Sequence, residues 1–398
     1  MFLHSKRIYL RETVVEGFLE IENGKICGIS NQCSQNYTDY GNMMIIPGFI
    51  DVHVHGWGTG SFMSEKSSES LYEMKKYMPY EGVTSFLATT GADPIEDIIT
   101  SIKSAEHVYK DQKFGSECIG IHLEGPFINK EFKGMQKEEC CIEPNIETMQ
   151  LLYETQSDKT MIKLMTIAPE LPNSKEVISF CHDHGIQCSI GHSAATFECI
   201  KELKKYGLGG VTHMFSGMKG MHHRELGVAG SAMYFEDLMC EFAKQSGITV
   251  RHEAFDLIFR LKGADRVYLC TDCAGFAKVK EEHYHYVRKQ TFVPFNGNLK
   301  IVNDDGSELL INTLDYKEVR NIELSFIKSV QNMMKNTKMS MFDLIKLTSF
   351  NAAKYIHVEN RKGSIEVGKD ADLVILDENL NLVTTYCKGV EFNAKSIQ

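Results

Sequence analysis

The chain has 398 residues, 43% hydrophobic and 24% charged, an ordinary globular balance that suits two domains or one large barrel with an appendage. Its 43 Lys and Arg against 53 Asp and Glu give a formal charge of −10, which excludes the basic footprint of a general nucleic-acid binder. No run approaches the roughly 18 apolar residues of a membrane helix, and the start, with His4, Lys6 and Arg7, has no apolar segment of a signal peptide behind it. Its 12 cysteines without an export signal therefore point to the cytoplasm, where thiols stay reduced.

The first 47 residues read as short strands. Arg7–Leu10, Val14–Ile21 and Lys25–Ile29 are rich in branched residues, and Asn23-Gly24 is a two-residue hairpin signal. Residues 48–357 change rhythm. Apolar runs at Val83–Ala88, Cys118–Leu123, Met161–Ile167, Gln187–Ile190, Gly210–Met214, Thr249–Arg251 and Val267–Thr271 alternate with amphipathic stretches. Those stretches are Ser68–Tyr80, Pro94–Tyr109, Ile146–Glu154, Ser174–His184, Ala195–Tyr206, His252–Lys262 and Val319–Lys335. Repeated strand–helix units over this length predict an α/β fold, a TIM-like (β/α)8 barrel. From 358 to 398 strand character returns at Ala371–Leu376, Leu382–Cys387 and Gly389–Phe392. The two ends are expected to form one small β domain, a β-sandwich, beside the barrel.

Polar outliers sit at the ends of these apolar runs, where a barrel builds its catalytic face. Asp51-Val52-His53-Val54-His55 puts two imidazoles on one side of a strand. His122-Leu123-Glu124 ends another run, and Glu124 is expensive to bury without a cation or a partner. His192, His213 and Asp272 close three more. Singly, each reads as well as a core histidine or a helix cap. In this order, on successive strand ends, they point to a hydrolytic metal site of His53, His55, Glu124, His192 and His213. Imidazole and carboxylate ligands suit zinc or iron(II), one or two per chain. Such a metal activates water and polarises a carbonyl, with Asp272 placed to move the proton. His122 lines this site or packs behind it. Cys270-x-x-Cys273 reads as structural.

The pattern resembles the amidohydrolase superfamily and, within it, the N-acetylglucosamine-6-phosphate deacetylase family. The segments that carry the resemblance are Pro47–Gly56, His122–Phe127, Gly191–Thr196, Val211–Phe215, His222–Gly227, Thr271-Asp272 and the tail Gly363–Asp377. The resemblance implies that Glu124, His192 and His213 bind metal, with His53 and His55 the extra pair of two-metal members bridged by Glu124. It implies Asp272 as the catalytic acid/base, Arg224 beside His223 on the sugar's 6-phosphate, and a homodimer whose subunits lend residues to each other's sites. The implied substrate is an amino-sugar phosphate, N-acetylglucosamine 6-phosphate. Gln136, Ser216-Gly217 and Thr249 stand where the family usually has other substrate-contacting residues. The stretch Glu281–Leu310 resembles the family's lid. The alternatives are an amidohydrolase acting on a different sugar phosphate or amide, and a catalytically silent sugar-phosphate sensor; the complete ligand set with Asp272 weighs against the sensor.

Overall fold

The computed structural model describes every residue except 112–113, 244–246, 248, 286 and 397–398. Eight parallel strands pair side by side in chain order: β1 (Phe49–Val54), β2 (Val83–Thr90), β3 (Glu117–Glu124), β4 (Ile162–Ile167), β5 (Gln187–Ile190), β6 (Leu208–Val211), β7 (Met239–Ala243) and β8 (Val267–Cys270). β1, β2 and β3 are buried at every position. Such burial on both faces is that of parallel strands covered by helices outside and by packed side chains within. The helices between them cover the outside.

β8 returns to β1 through hydrogen bonds just beyond the strand ends. Asp272 N–H donates to the His53 carbonyl (2.7 Å) and His55 N–H to that of Cys273 (2.9 Å). The buried Asp51 carboxylate stitches the same seam, accepting from Thr271 N–H (3.1 Å) and Oγ1–H (2.6 Å). Burial pushes its carboxyl up to about 7, against those hydrogen bonds.

Both chain ends build the second region. One sheet runs through Val390–Asn393, Leu382–Cys387, Leu373–Leu376, Met44–Pro47, Phe2–Tyr9, Val14–Glu22 and Lys25–Ser30, with Thr38–Asp39 on Phe2–Tyr9. It curls back on itself, Lys25 bridging Asp370 and Ala371 N–H bonding the Gly24 carbonyl (2.8 Å), so that its Lys25–Ser30 edge meets the approach to Leu373–Leu376. Leu19, Ile21 and Ile26 thus face Leu373, Ile375 and Tyr386 across a sandwich core.

Three elements differ from the sequence reading. The seventh strand is β7, and Thr249–Arg251 instead leads into the helix His252–Lys262, with Arg251 at its N-cap. The expected helix Val319–Lys335 is two, Tyr316–Ile322 and Phe326–Asn336, because Ser325 caps the second by accepting from Lys328 N–H. The lid stretch is an antiparallel sheet of His283–His285, Gln290–Phe295, Asn298–Asn303 and Glu308–Ile311, held on Phe276, Phe292, Leu299 and Ile301. Residue 286 of the expected lid, and residue 248 beside Thr249, lie outside the described residues.

Candidate metal centre and active-site cleft

His53 lies on β1 and His55 one residue past it, while Glu124 is the last residue of β3. His192, His213 and Asp272 are each the second residue beyond β5, β6 and β8. All three of these have left-handed backbone, with φ of 49°, 31° and 48°. A side chain other than glycine costs about 1–3 kcal/mol there, and such strain concentrates at functional sites. Here the turn swings each polar group back over the barrel mouth.

Glu124 is the hub. Its Oε1 lies 3.2 Å from His53 Nε2 and 3.1 Å from both His192 Nε2 and His213 Nε2. Its Oε2 lies 3.2 Å from His55 Nε2. Two donor groups share it, His53–His55–Glu124 and Glu124–His192–His213, each with ligand atoms within 4.8 Å of one another. The far nitrogens show what these groups can hold. His192 Nδ1 faces the Phe132 carbonyl (2.8 Å), His213 Nδ1 the Ser216 carbonyl (3.0 Å) and His53 Nδ1 the Glu241 carboxylate (2.8 Å). These oxygens only accept, so Nδ1 carries the proton and Nε2 presents a bare lone pair. Yet His192 Nε2 and His213 Nε2 are 3.1 Å apart, and His53 Nε2 and His55 Nε2 are 3.3 Å apart. Lone pairs converging on a carboxylate at that distance fit a divalent cation, and the nitrogen and oxygen donors suit zinc or iron(II).

The electrostatics agree. Burial alone would raise the Glu124 carboxyl, but the imidazoles of His53, His192 and His213 around it hold it well below the usual range. Burial lowers His53, and Glu241, Glu124 and Asp272 together hold it well above its ordinary value. Carboxylates that attract a proton to these rings attract a divalent cation equally.

Asp272 Oδ1 is 3.5 Å from His53 Nε2 and 3.4 Å from His55 Nε2, and its side chain is 25% exposed, so it reaches both the donor cluster and the cleft. The cleft above is open to solvent. Gln136, Ser216, Gly217 and Thr249 line it. Gln136 also holds the hub: its Nε2 donates to Glu124 Oε2 and its Oε1 accepts from Ala92 N–H. Gly217, with φ of 54°, leaves room that a Cβ would take 3.1 Å from His192 Nδ1. His223 and Arg224 are exposed and do not line the cleft of this chain. Arg224 pairs with no carboxylate among the described residues.

Two groups escaped the sequence reading. His285, from the lid sheet, lines the cleft. Glu241, inside β7, stands behind His53; a charge within the apolar run Met239–Ala243 is the signal that could have found it. His122 has both ring nitrogens occupied, by the Val52 carbonyl (3.2 Å) and Thr166 Oγ1 (2.8 Å). Burial holds it well below its ordinary value. It packs against the His53 ring at 4.5 Å as a neutral spacer.

The described residues include no helix long and apolar enough to cross a membrane. Residues 44–392 match the amidohydrolase family. The chain is 31% identical to the N-acetylglucosamine-6-phosphate deacetylase of Bacillus subtilis, over 95% of this chain and 93% of that one. The solved structure of the Thermotoga maritima N-acetylglucosamine-6-phosphate deacetylase superposes with a TM-score of 0.79 at 28% identity, covering 99% of this chain and 100% of that one. The Pasteurella multocida deacetylase structure shares the fold, with a TM-score of 0.83 at 24% identity over 99% of this chain and 100% of that one. The chain belongs to the amidohydrolase family, in its N-acetylglucosamine-6-phosphate deacetylase branch.

Proposed function

We propose that the chain hydrolyses the acetamide of N-acetylglucosamine 6-phosphate to glucosamine 6-phosphate and acetate, and that it does so in the cytoplasm as a homodimer. The observation that carries this is the pair of donor groups fused on Glu124, with Asp272 against them at the floor of an open cleft. It stands in a chain similar over nearly its whole length to a deacetylase of that sugar phosphate.

His53, His55, Glu124, His192 and His213 hold one or two divalent ions. When bound, the metal supplies an activated water and polarises the acetyl carbonyl. Asp272 accepts the water's proton and returns it to the departing amine nitrogen. Its partial exposure suits the second half of that task, since the leaving amine belongs to the sugar in the cleft. Gln136 keeps Glu124 from turning away. Ser216, Gly217, Thr249 and His285 border the sugar. His223 and Arg224 serve the phosphate, reaching it from the second subunit; their exposure and Arg224's lack of a carboxylate partner support that role.

The test is elemental analysis of the purified protein together with acetate release from 6-phosphates of N-acetylglucosamine, N-acetylgalactosamine and N-acetylmannosamine. The reading expects transition metal in active protein and the fastest release from the glucosamine compound. Active, unchelated protein without transition metal would overturn the metal assignment. Release from another epimer alone would move the substrate to that sugar.

A further inference from the structure

Behind the donor cluster, Glu241 is a fully buried carboxylate in the middle of β7 with neither Lys nor Arg beside it among the described residues. Burying a carboxylate without a cation is costly, so something must hold this one. Its Oε1 accepts from His53 Nδ1 (2.8 Å) and from the backbone N–H of His213 (3.0 Å), and its Oε2 from the Tyr268 hydroxyl (3.3 Å). The Cys270 thiol lies within 4.8 Å of it as well. One oxygen therefore touches both halves of the cluster: the ring that faces the His55 side, and the strained turn that aims His213.

We propose that Glu241 is a positioning residue for both halves of the metal centre, fixing His53 with Nε2 bare and pinning the turn that carries His213. It also adds charge where charge is short. Glu124 and Asp272 offer two negative charges to two divalent ions; Glu241, passing its charge through the His53 ring, makes three. A ring held by a carboxylate is a stronger ligand than a ring held by a carbonyl, and loss of such a partner weakens metal binding by about 10–100-fold. His192 and His213 lean on carbonyls. The His53 half should therefore depend on Glu241 through charge, and the His213 half only through shape.

The inference rests on the metal reading above, and its test does not need turnover. Full-length protein and Glu241→Gln are dialysed against zinc at a series of chelator-buffered concentrations, and ions per chain are counted. Glutamine keeps an oxygen for the His213 N–H but loses the charge. We expect wild type to fill two positions and Glu241→Gln to need about 10–100-fold more free zinc for one of them, with the other unchanged. In a His53→Ala background, adding Glu241→Gln should change zinc uptake no further; a merely structural role would weaken uptake in both backgrounds alike. Glu241→Asp keeps the charge one methylene further back, should fall between the two, and serves where the glutamine variant does not fold. Wild-type zinc uptake in these variants overturns the proposal, as does a wild type that binds one ion indifferent to Glu241. Two bound ions without acetate release would instead remove the proposed reaction and leave Glu241's role standing.

Discussion

Strand β3 begins with Glu117 and ends with Glu124, and each anchors a buried acidic cluster at opposite ends of the barrel. At the start, Glu117 lies with Asp370 and Asp372, whose oxygens are as close together as those of the candidate metal site. The space between them is filled by Lys362, whose Nζ is 2.6 Å from Glu117, 3.0 Å from Asp370 and 2.5 Å from Asp372. Arg361, Lys388 and Lys25 complete the pairing. At the other end, among the described residues, Glu124 and Glu241 pair with no Lys or Arg, and Glu124 and Asp272 both lie against the rings of His53 and His55. Converging donors are therefore not enough to mark a metal site. The junction brings its own cations and clamps the β domain to the barrel; the catalytic end leaves its charge to a cation from outside.

The comparison breaks most sharply at Asp272. Asp272→Asn should keep the metal and the fold yet lose about 10²–10⁴-fold in kcat, because the amide cannot accept the proton. The measurement is acetate release at saturating substrate beside metal content. A near-normal kcat would make Asp272 a turn residue and leave the catalytic end without its base.

Lys362→Met tests the other end. It strands three carboxylates with fewer cations, and breaking a buried pair in this way costs about 3–5 kcal/mol. Chemical denaturation should show that loss, while kcat of the folded fraction stays at the wild-type value. Lost activity without lost stability would mean that the junction speaks to the site through the strand and is no mere clamp.

Arg224 belongs to neither cluster. In the phosphate-binding role proposed for it, its charge-assisted contacts would be worth about 1.5–3 kcal/mol each. Arg224→Ala should therefore cut kcat/KM for the phosphorylated sugar by about 10²-fold, chiefly through KM. Release from the unphosphorylated sugar should barely change. Equal losses on both would place Arg224 in the fold or the subunit contact and not on the phosphate.

The catalytic end was more legible than its setting. The donors sit at strand ends, and apolar runs closing on His or a carboxylate can be read directly. What lies behind them was harder. Glu241 interrupts the apolar run of β7, and Thr249–Arg251 reads as the seventh strand where the chain is in fact entering a helix. The lid sheet was read only as a resemblance, although Asn296-Gly297, both with positive φ, turns one of its hairpins and is a strong local signal. Neither the junction's closure by Lys362 nor the exposure of Arg224 is written in local pattern, since both depend on which distant segments pack together.

The smallest effect is the dependence of the junction on pH, and its sign separates the two ends once more. Burial pulls Glu117 up, but Lys362, Arg361 and Lys388 outweigh it and hold the carboxyl well below its ordinary 4.5. A depressed carboxyl gives stability that is complete above that ordinary value and drains away as pH falls below it. Burial raises Asp372 instead, which opposes Glu117 and blunts the acid limb. Lys362 is clearer. Burial pulls it down, but Asp372, Glu117 and Asp370 lift it above its ordinary 10.5. A raised ammonium gives stability that is complete below 10.5 and is lost as pH climbs through the folded value. Tyr268 and Cys270, raised by burial, also lose stability as pH rises, but they do so with or without Lys362. The difference between wild type and Lys362→Met therefore isolates the junction. It should stay constant from about pH 6 to 10 and then narrow by up to about 1.4 kcal/mol per pH unit, one proton's worth. Denaturant midpoints for both proteins across that range are the measurement. A difference that does not narrow on the alkaline side would mean that the Lys362 ammonium holds the junction by filling space, and that the contrast between a self-neutralised end and a cation-seeking end is one of packing and not of charge.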